Sequence, residues 1–194
     1  ICCAFDHDMT KGAFAAGDGV YTASEQSVGA EGFRGAVEKL LARGRYIAHD
    51  AKPLALYMYS RGVRPGVPVF DTAIAAYLMS PTSNDFSLDT CAMAALGASV
   101  SAEKQEEQLS LDAVPQKDSG LSRRAQIIRA LWKHYAAQLE ENRMTGRMAE
   151  IELPLIRVLA GMQYEGMQLD SARLEAFGRS ISGEISQLEE QIYS

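Results

Sequence analysis

The sequence predicts an α/β sandwich with a mixed sheet, followed by an all-helical segment. Three observations carry this expectation. Short apolar runs broken by glycines fill the chain up to Ser24. Short strand candidates then alternate with stretches of helical periodicity as far as Gly97. From Leu121 onward every apolar pattern has helical spacing.

The elements follow in order. Ile1 to Phe5 is an unbroken apolar run leading into Asp6-His7-Asp8, and Ala13 to Ala16 and Val20 to Ala23 follow with Gly12, Gly17 and Gly19 between them, the pattern of a strand meander. Gly17-Asp18-Gly19 is a tight-turn signal and not a phosphate loop, because no lysine and helix follow it. Phe33, Val37, Leu40 and Leu41 fall at helical spacing, with Gly44 as the terminal cap. Tyr46 to Ala48 reads as a short strand. Asp50 is then placed to cap a helix whose first turn tolerates Pro53 and which runs through Leu54, Met58 and Arg61 to Gly62. Val67 to Phe70 is a strand, Asp71 caps a helix through Ala75 and Leu78, and Phe86 to Leu96 is a helix ended by Gly97.

The stretch from Ser99 to Gly120 is rich in Ser, Gln, Glu, Asp and Lys and reads as a loop. Beyond it, Leu121 to Asn142 carries Ile128, Leu131, Tyr135 and Leu139 on one face. Met148 to Tyr164 is a second helix, in which Pro154 marks a bend or a first turn. The last helix, capped by Asp170, shows Leu174, Phe177, Ile181, Ile185, Leu188 and Ile192 at alternating spacings of three and four. Such a seam calls for a partner: a neighbouring copy, its own domain, or disorder in the absence of both.

With 194 residues, 47% hydrophobic and 23% charged, the chain has room for one or two domains. A formal charge of −6 argues against the whole chain being a strong electrostatic binder of a phosphate backbone, though it leaves room for local basic patches. Cys2, Cys3 and Cys91 are odd in number and sit in apolar surroundings, so they read as packed thiols in a reducing compartment. No apolar run approaches the roughly 20 residues of a membrane helix. A cytoplasmic location and no membrane partner are expected. The absence of an initiator methionine and the stop after a periodic helix suggest a piece of a larger protein. No Cys/His spacing suggests zinc, and Trp132 reads as core.

Two sets of motifs carry a resemblance. Ile47-Ala48-His49-Asp50-Ala51-Lys52-Pro53-Leu54, continued by Val69-Phe70-Asp71-Thr72 and Tyr77-Leu78-Met79, resembles the second motif of the 3'-5' exonuclease domain in the bacterial DNA polymerase I family (family A). Ile151-Glu152-Leu153-Pro154-Leu155 and Tyr164-Glu165-Gly166-Met167-Gln168-Leu169-Asp170 resemble the passage where that domain hands over to the polymerase domain. The resemblance implies a ribonuclease-H-like fold over residues 1–145, and over 146–194 a hand-over helix with the first helix of the polymerase thumb.

Active members of that family hold two Mg2+ ions with four carboxylates from three motifs, an arrangement that generates and positions the attacking hydroxide. Ala4-Phe5-Asp6-His7-Asp8 resembles the first motif, so Asp6 and Asp8 are implied at the first carboxylate pair, projecting to one face if the strand continues. The alternative is a solvated strand end and turn. The second motif departs from the family at Leu54, where an aspartate is expected and a leucine offers no oxygen to a hard cation. The third motif, a tyrosine with an aspartate four residues on, would fall near Ser122 and Gln126, but no acidic residue lies between Ser119 and Leu139. Arg123, Arg124, Arg129 and Lys133 lie there instead, as a solvated face or as contacts to a DNA backbone.

The expected function is therefore a non-catalytic, structural module of a DNA-directed DNA polymerase of replication and repair. No cofactor is expected in this chain, with Mg2+ confined to the parent's polymerase site. Its expected partners are DNA through the parent, the remainder of the polymerase, and a second copy through the last helix. Two alternatives are an active exonuclease using Asp6, Asp8 and Asp50, and a regulatory module that docks another protein.

Overall fold

The computed structural model describes residues 1–100 and 119–193. Three antiparallel strands, β1 (Cys2–Phe5), β2 (Lys11–Ala16) and β3 (Gly19–Ser24), form the expected meander. Two short strands continue the sheet: β4 (Ile47–Ala48) pairs parallel to β1, and β5 (Phe70–Asp71) pairs parallel to β4. The sheet is thus mixed, as the alternation of strands and helices predicts, and its strand order is β3-β2-β1-β4-β5.

A short helix α1 (Glu25–Val28), not anticipated from the sequence, follows β3 because Ser24 and Ser27 form a reciprocal capping box. Helix α2 (Ala30–Ala42) buries Phe33, Val37 and Leu41, the expected face. It ends at Gly44, whose φ of +65° suits glycine; a side chain there would collide with the Val67 carbonyl, and Gly66 passes just as close. Helices α3 (Lys52–Ser60), α4 (Thr72–Met79) and α5 (Leu88–Leu96) follow, α5 stopping at left-handed Gly97.

Helix α6 (Ser119–Glu141) begins slightly before the predicted start and lies along β1 and β2 and against α4 and α5. Its buried residues Ile128, Leu131, Tyr135 and Leu139 are the ones the periodicity selects. Cys2, Cys3 and Ala4 are buried in succession, so β1 is covered on both faces. All three cysteines are buried and free, and burial pushes the Cys3 thiol up to about 12, consistent with packing and not reactivity. Most of the predicted Ser99–Gly120 loop lies outside the described residues.

A short helix α7 (Thr145–Arg147) leads into the helix predicted from Met148 to Tyr164, which consists of a π-helical turn (Met148–Glu152) and α8 (Leu153–Glu165). Pro154 sits in the first turn of α8, where its missing N–H costs little, and the wide turn before it accommodates the ring. Helix α9 (Ser171–Tyr193) starts where Asp170 accepts the Arg173 amide at 3.0 Å. None of its residues is buried. Internal contacts divide the chain into one unit over 1–164 and a second over 165–194.

Candidate functional site

Of the sequence-predicted positions, Asp6, Asp8, Asp50, Leu54 and Arg124 lie on one cleft of about 970 Å³. The turn after β1 supplies Asp6, His7 and Asp8; the segment after β4 and helix α3 supplies His49, Asp50, Leu54 and Tyr57; α4 supplies Ile74 and Tyr77; α6 supplies Arg124 and Ile128; and Glu152 closes one side. Asp6, Asp8, Leu54 and Arg124 are therefore brought together from elements far apart in sequence.

Asp6 and Asp8 do not continue the strand. β1 ends at Phe5, and the Met9 amide donates to the Asp6 carbonyl, closing a turn over residues 6–9. Strand alternation therefore ends at Phe5, and Asp6 to Asp8 form a strand end and turn. The Asp6 carboxylate accepts the Thr10 hydroxyl at 2.6 Å and the Thr10 and Lys11 amides at 2.8 and 2.9 Å. Partial burial pushes its pKa up, but these donors outweigh burial and hold the carboxyl below its ordinary value. Asp8 is exposed and pairs with the fully exposed His7 at 3.0 Å, which raises the imidazole pKa.

Asp50 does not cap α3, contrary to the sequence expectation. It adopts φ +56° and is exposed, and the N-cap position is Ala51, which has no side-chain cap of its own. The capping carboxylate comes from across the sheet. Asp71 is 1% exposed and accepts the Ala51 and Asp50 amides at 2.6 and 3.2 Å. It also caps its own helix α4, accepting Ala73 and Ile74 at 2.9 and 3.2 Å. Burial pushes the Asp71 carboxyl up, against the amides and His49, which pull it down.

His49 is likewise accounted for within the fold. Burial lowers its pKa, its Nδ1 pairs with the Thr72 hydroxyl at 2.9 Å, and its ring also hydrogen-bonds the Phe86 backbone.

Leu54, one turn into α3, is 9% exposed and packs with the core at the cleft wall. Gln126 is exposed and does not line the cleft; from α6 it is Arg124 and Ile128, four residues apart on one face, that do. Among the described residues, no group of three or more His, Cys, Asp or Glu is arranged to hold a metal ion.

The four basic residues of α6 do not form one surface. Arg123 donates through Nε and Nη2 to the Ser99 carbonyl at 3.0 and 2.9 Å, and Arg129 donates to the Gly17 carbonyl at 2.7 Å. Both fasten α6 to neighbouring backbone, and only Arg124 and Lys133 present exposed side chains. Sequence reasoning also missed Glu152 and the aromatic walls Tyr57, Tyr77 and Phe86. The signal for Glu152 was present in the hand-over motif but was read there for its position in the chain, not as a cleft residue.

No family model matches the chain. Among curated proteins it is similar to DNA polymerase I of Bacillus caldotenax, with 29% identity over 151 residues covering 74% of this chain. It is similar also to DNA polymerase I of Mycobacterium leprae, with 32% identity over 152 residues covering 75% of this chain. The chain spans 17% of the length of each of these relatives. A solved structure described as the POL domain of Pol1 from M. smegmatis in complex with DNA primer-template and dNTP superposes with a TM-score of 0.74. It is 26% identical, over 95% of this chain and 30% of that one. The α/β architecture described above is thus shared with a polymerase structure. The resemblance carried by the two sets of motifs is met in both sequence and structure: this chain is a relative of one segment of bacterial DNA polymerase I.

Proposed function

We propose that this chain is a structural module of a family A DNA-directed DNA polymerase acting in replication and repair in the cytoplasm. In this reading residues 1–145 keep a ribonuclease-H-like 3'-5' exonuclease architecture without its chemistry, and residues 146–194 begin the polymerase domain. The parent binds DNA and uses Mg2+ at a polymerase site outside this chain.

One observation carries the reading. The cleft that gathers Asp6, Asp8, Leu54 and Arg124 is walled by the buried side chains of Leu54 and Ile128, which offer no oxygen, and carries the Arg124 guanidinium. Two Mg2+ ions require hard oxygen donors in near-octahedral geometry. The remaining acids do not fit such a pair: Asp6 is engaged by three donors of its own turn, and Asp50 and Asp8 are exposed. Arg124 adds repulsion to any cation entering the cleft. Mg2+ therefore does not fit this residue set.

The test is digestion of labelled single-stranded DNA by the 194-residue chain with Mg2+ or Mn2+, alongside Leu54→Asp. No nucleotide release is expected from either protein, because the single change leaves Ile128 and Arg124 in place. Nucleotide release that disappears on Asp6→Ala sinks the reading.

A further inference from the structure

The chain is acidic overall, yet its cations are not spread evenly. Between Lys39 and Phe70 stand Lys39, Arg43, Arg45, Lys52, Arg61 and Arg64, against a single acid, Asp50. Asp50 and Lys52 follow β4, at the end of the strands where the cleft opens. Lys39, Arg43 and Arg45 precede β4, and Arg61 and Arg64 precede β5, so these residues belong to the opposite end of the same parallel strands.

Backbone hydrogen bonds lace the two segments together there. The Gly66 amide donates to the Leu41 carbonyl at 3.0 Å, and the Val69 amide to the Tyr46 carbonyl at 2.8 Å. Gly44 and Gly66 pass so closely that neither has room for a side chain. Arg61 is tied back to α2 through Glu38 at 3.1 Å. Lys39, Arg43, Arg45 and Arg64 are exposed and make no ion pair among the described residues.

Part of this charge has a local explanation. Helices α2 and α3 both end on this side of the sheet, and cations near a helix C-terminus offset its partial negative charge. That accounts for Lys39, Arg43 and Arg61. It does not account for Arg45 and Arg64, which stand beyond the helix ends on backbone that the two glycines hold close. Like charges gathered on a rigid base repel one another, and an anionic partner relieves that repulsion.

We propose that Lys39, Arg43, Arg45 and Arg64 form a contact surface for the phosphate backbone of a nucleic-acid duplex, at the end of the sheet opposite the cleft. The proposal rests on the polymerase reading above, which makes DNA the polyanion at hand, and adds a surface separate from both the cleft and α6. Arginine dominates the set, and its planar fork matches phosphate oxygens two at a time. Tyr46, the one aromatic residue in segments 39–46 and 61–69, is buried, so no ring is offered for stacking unpaired bases. Contacts of this kind position a duplex without reading its sequence.

The experiment is fluorescence anisotropy of a labelled DNA duplex of about 20 base pairs with the 194-residue chain, across roughly 20–200 mM salt. The logarithm of the association constant should fall against the logarithm of salt with a slope of about −3, the counterion release from about three or four phosphates. Arg45→Gln combined with Arg64→Gln should make that slope shallower by about 2, and Lys133→Ala on α6 should leave it unchanged. The thermal midpoint of the double variant should match that of the native chain, because both side chains are exposed. Should the double variant fail to fold, each substitution is made singly and should remove about 1 from the slope.

A slope that the two substitutions leave intact, or no binding at the lowest salt, overturns the proposal. Tighter binding of polyglutamate than of the duplex also overturns it and assigns the surface to an acidic polypeptide. None of these outcomes bears on nucleotide release at the cleft, so the digestion test of the structural reading stands or falls separately.

Discussion

The carboxylate of Asp71, the last residue of β5, accepts the backbone amide of Ala51, which follows the neighbouring strand β4, at 2.6 Å. Asp71 also takes Asp50, Ala73 and Ile74, so one buried side chain begins two helices, α3 and α4. Free N–H groups at helix starts need an acceptor, and the positive end of each helix dipole favours an anion. The parallel pairing of β4 and β5 brings both helix starts to the same end of the sheet, where one acid serves both. This arrangement fixes Leu54 and His49 at the cleft.

Replacing Asp71 by alanine would leave four amides without that acceptor. A lost cap costs roughly 0.5–2 kcal/mol, and a buried donor left unsatisfied about 1–3 kcal/mol. Asp71→Ala is therefore expected to cost roughly 3–5 kcal/mol in chemical denaturation, and Asp50→Ala less than about 0.5 kcal/mol, the usual range for an exposed position. Equal effects for the two variants contradict the assignment of Asp71 as the shared cap.

Asp6 gives the fold a pH dependence whose sign follows from its lowered carboxyl. A group with a folded pKa below its unfolded value contributes stability that is present above the unfolded pKa, near pH 4, and lost as pH falls through the folded value. The stability difference between the native chain and Asp6→Asn should be present at about pH 6 and shrink below about pH 4. Denaturation at a series of pH values checks this, and a difference that grows on acidification refutes it.

Arg129 and Lys133 are neighbours on α6 with different expected roles. Arg129 holds the Gly17 carbonyl of the β2–β3 turn, whereas Lys133 is exposed. Arg129→Ala is expected to lower stability by about 1 kcal/mol, the usual net contribution of a hydrogen bond, because the exposed site is screened by solvent. Lys133→Ala should change it by less than about 0.5 kcal/mol. If Arg129 instead served DNA, the variant would retain full stability and lose affinity for a duplex in a salt-dependent binding assay.

The sequence by itself determined most of the elements, the opening strand meander, the mixed character of the sheet, the buried faces of α2 and α6, and the family resemblance. These depend on local periodicity, glycine placement and contiguous motifs, which a linear reading retains. It also determined that Leu54 brings no oxygen to the second motif, because a residue's chemistry does not depend on where it folds.

Only the tertiary structure decided which carboxylate caps α3, since Asp50 stands next to that helix in sequence while Asp71 reaches it across two paired strands. It decided too that Arg124 and Ile128, not Gln126, face the cleft, because one residue of register on a helix turns a side chain by about 100°.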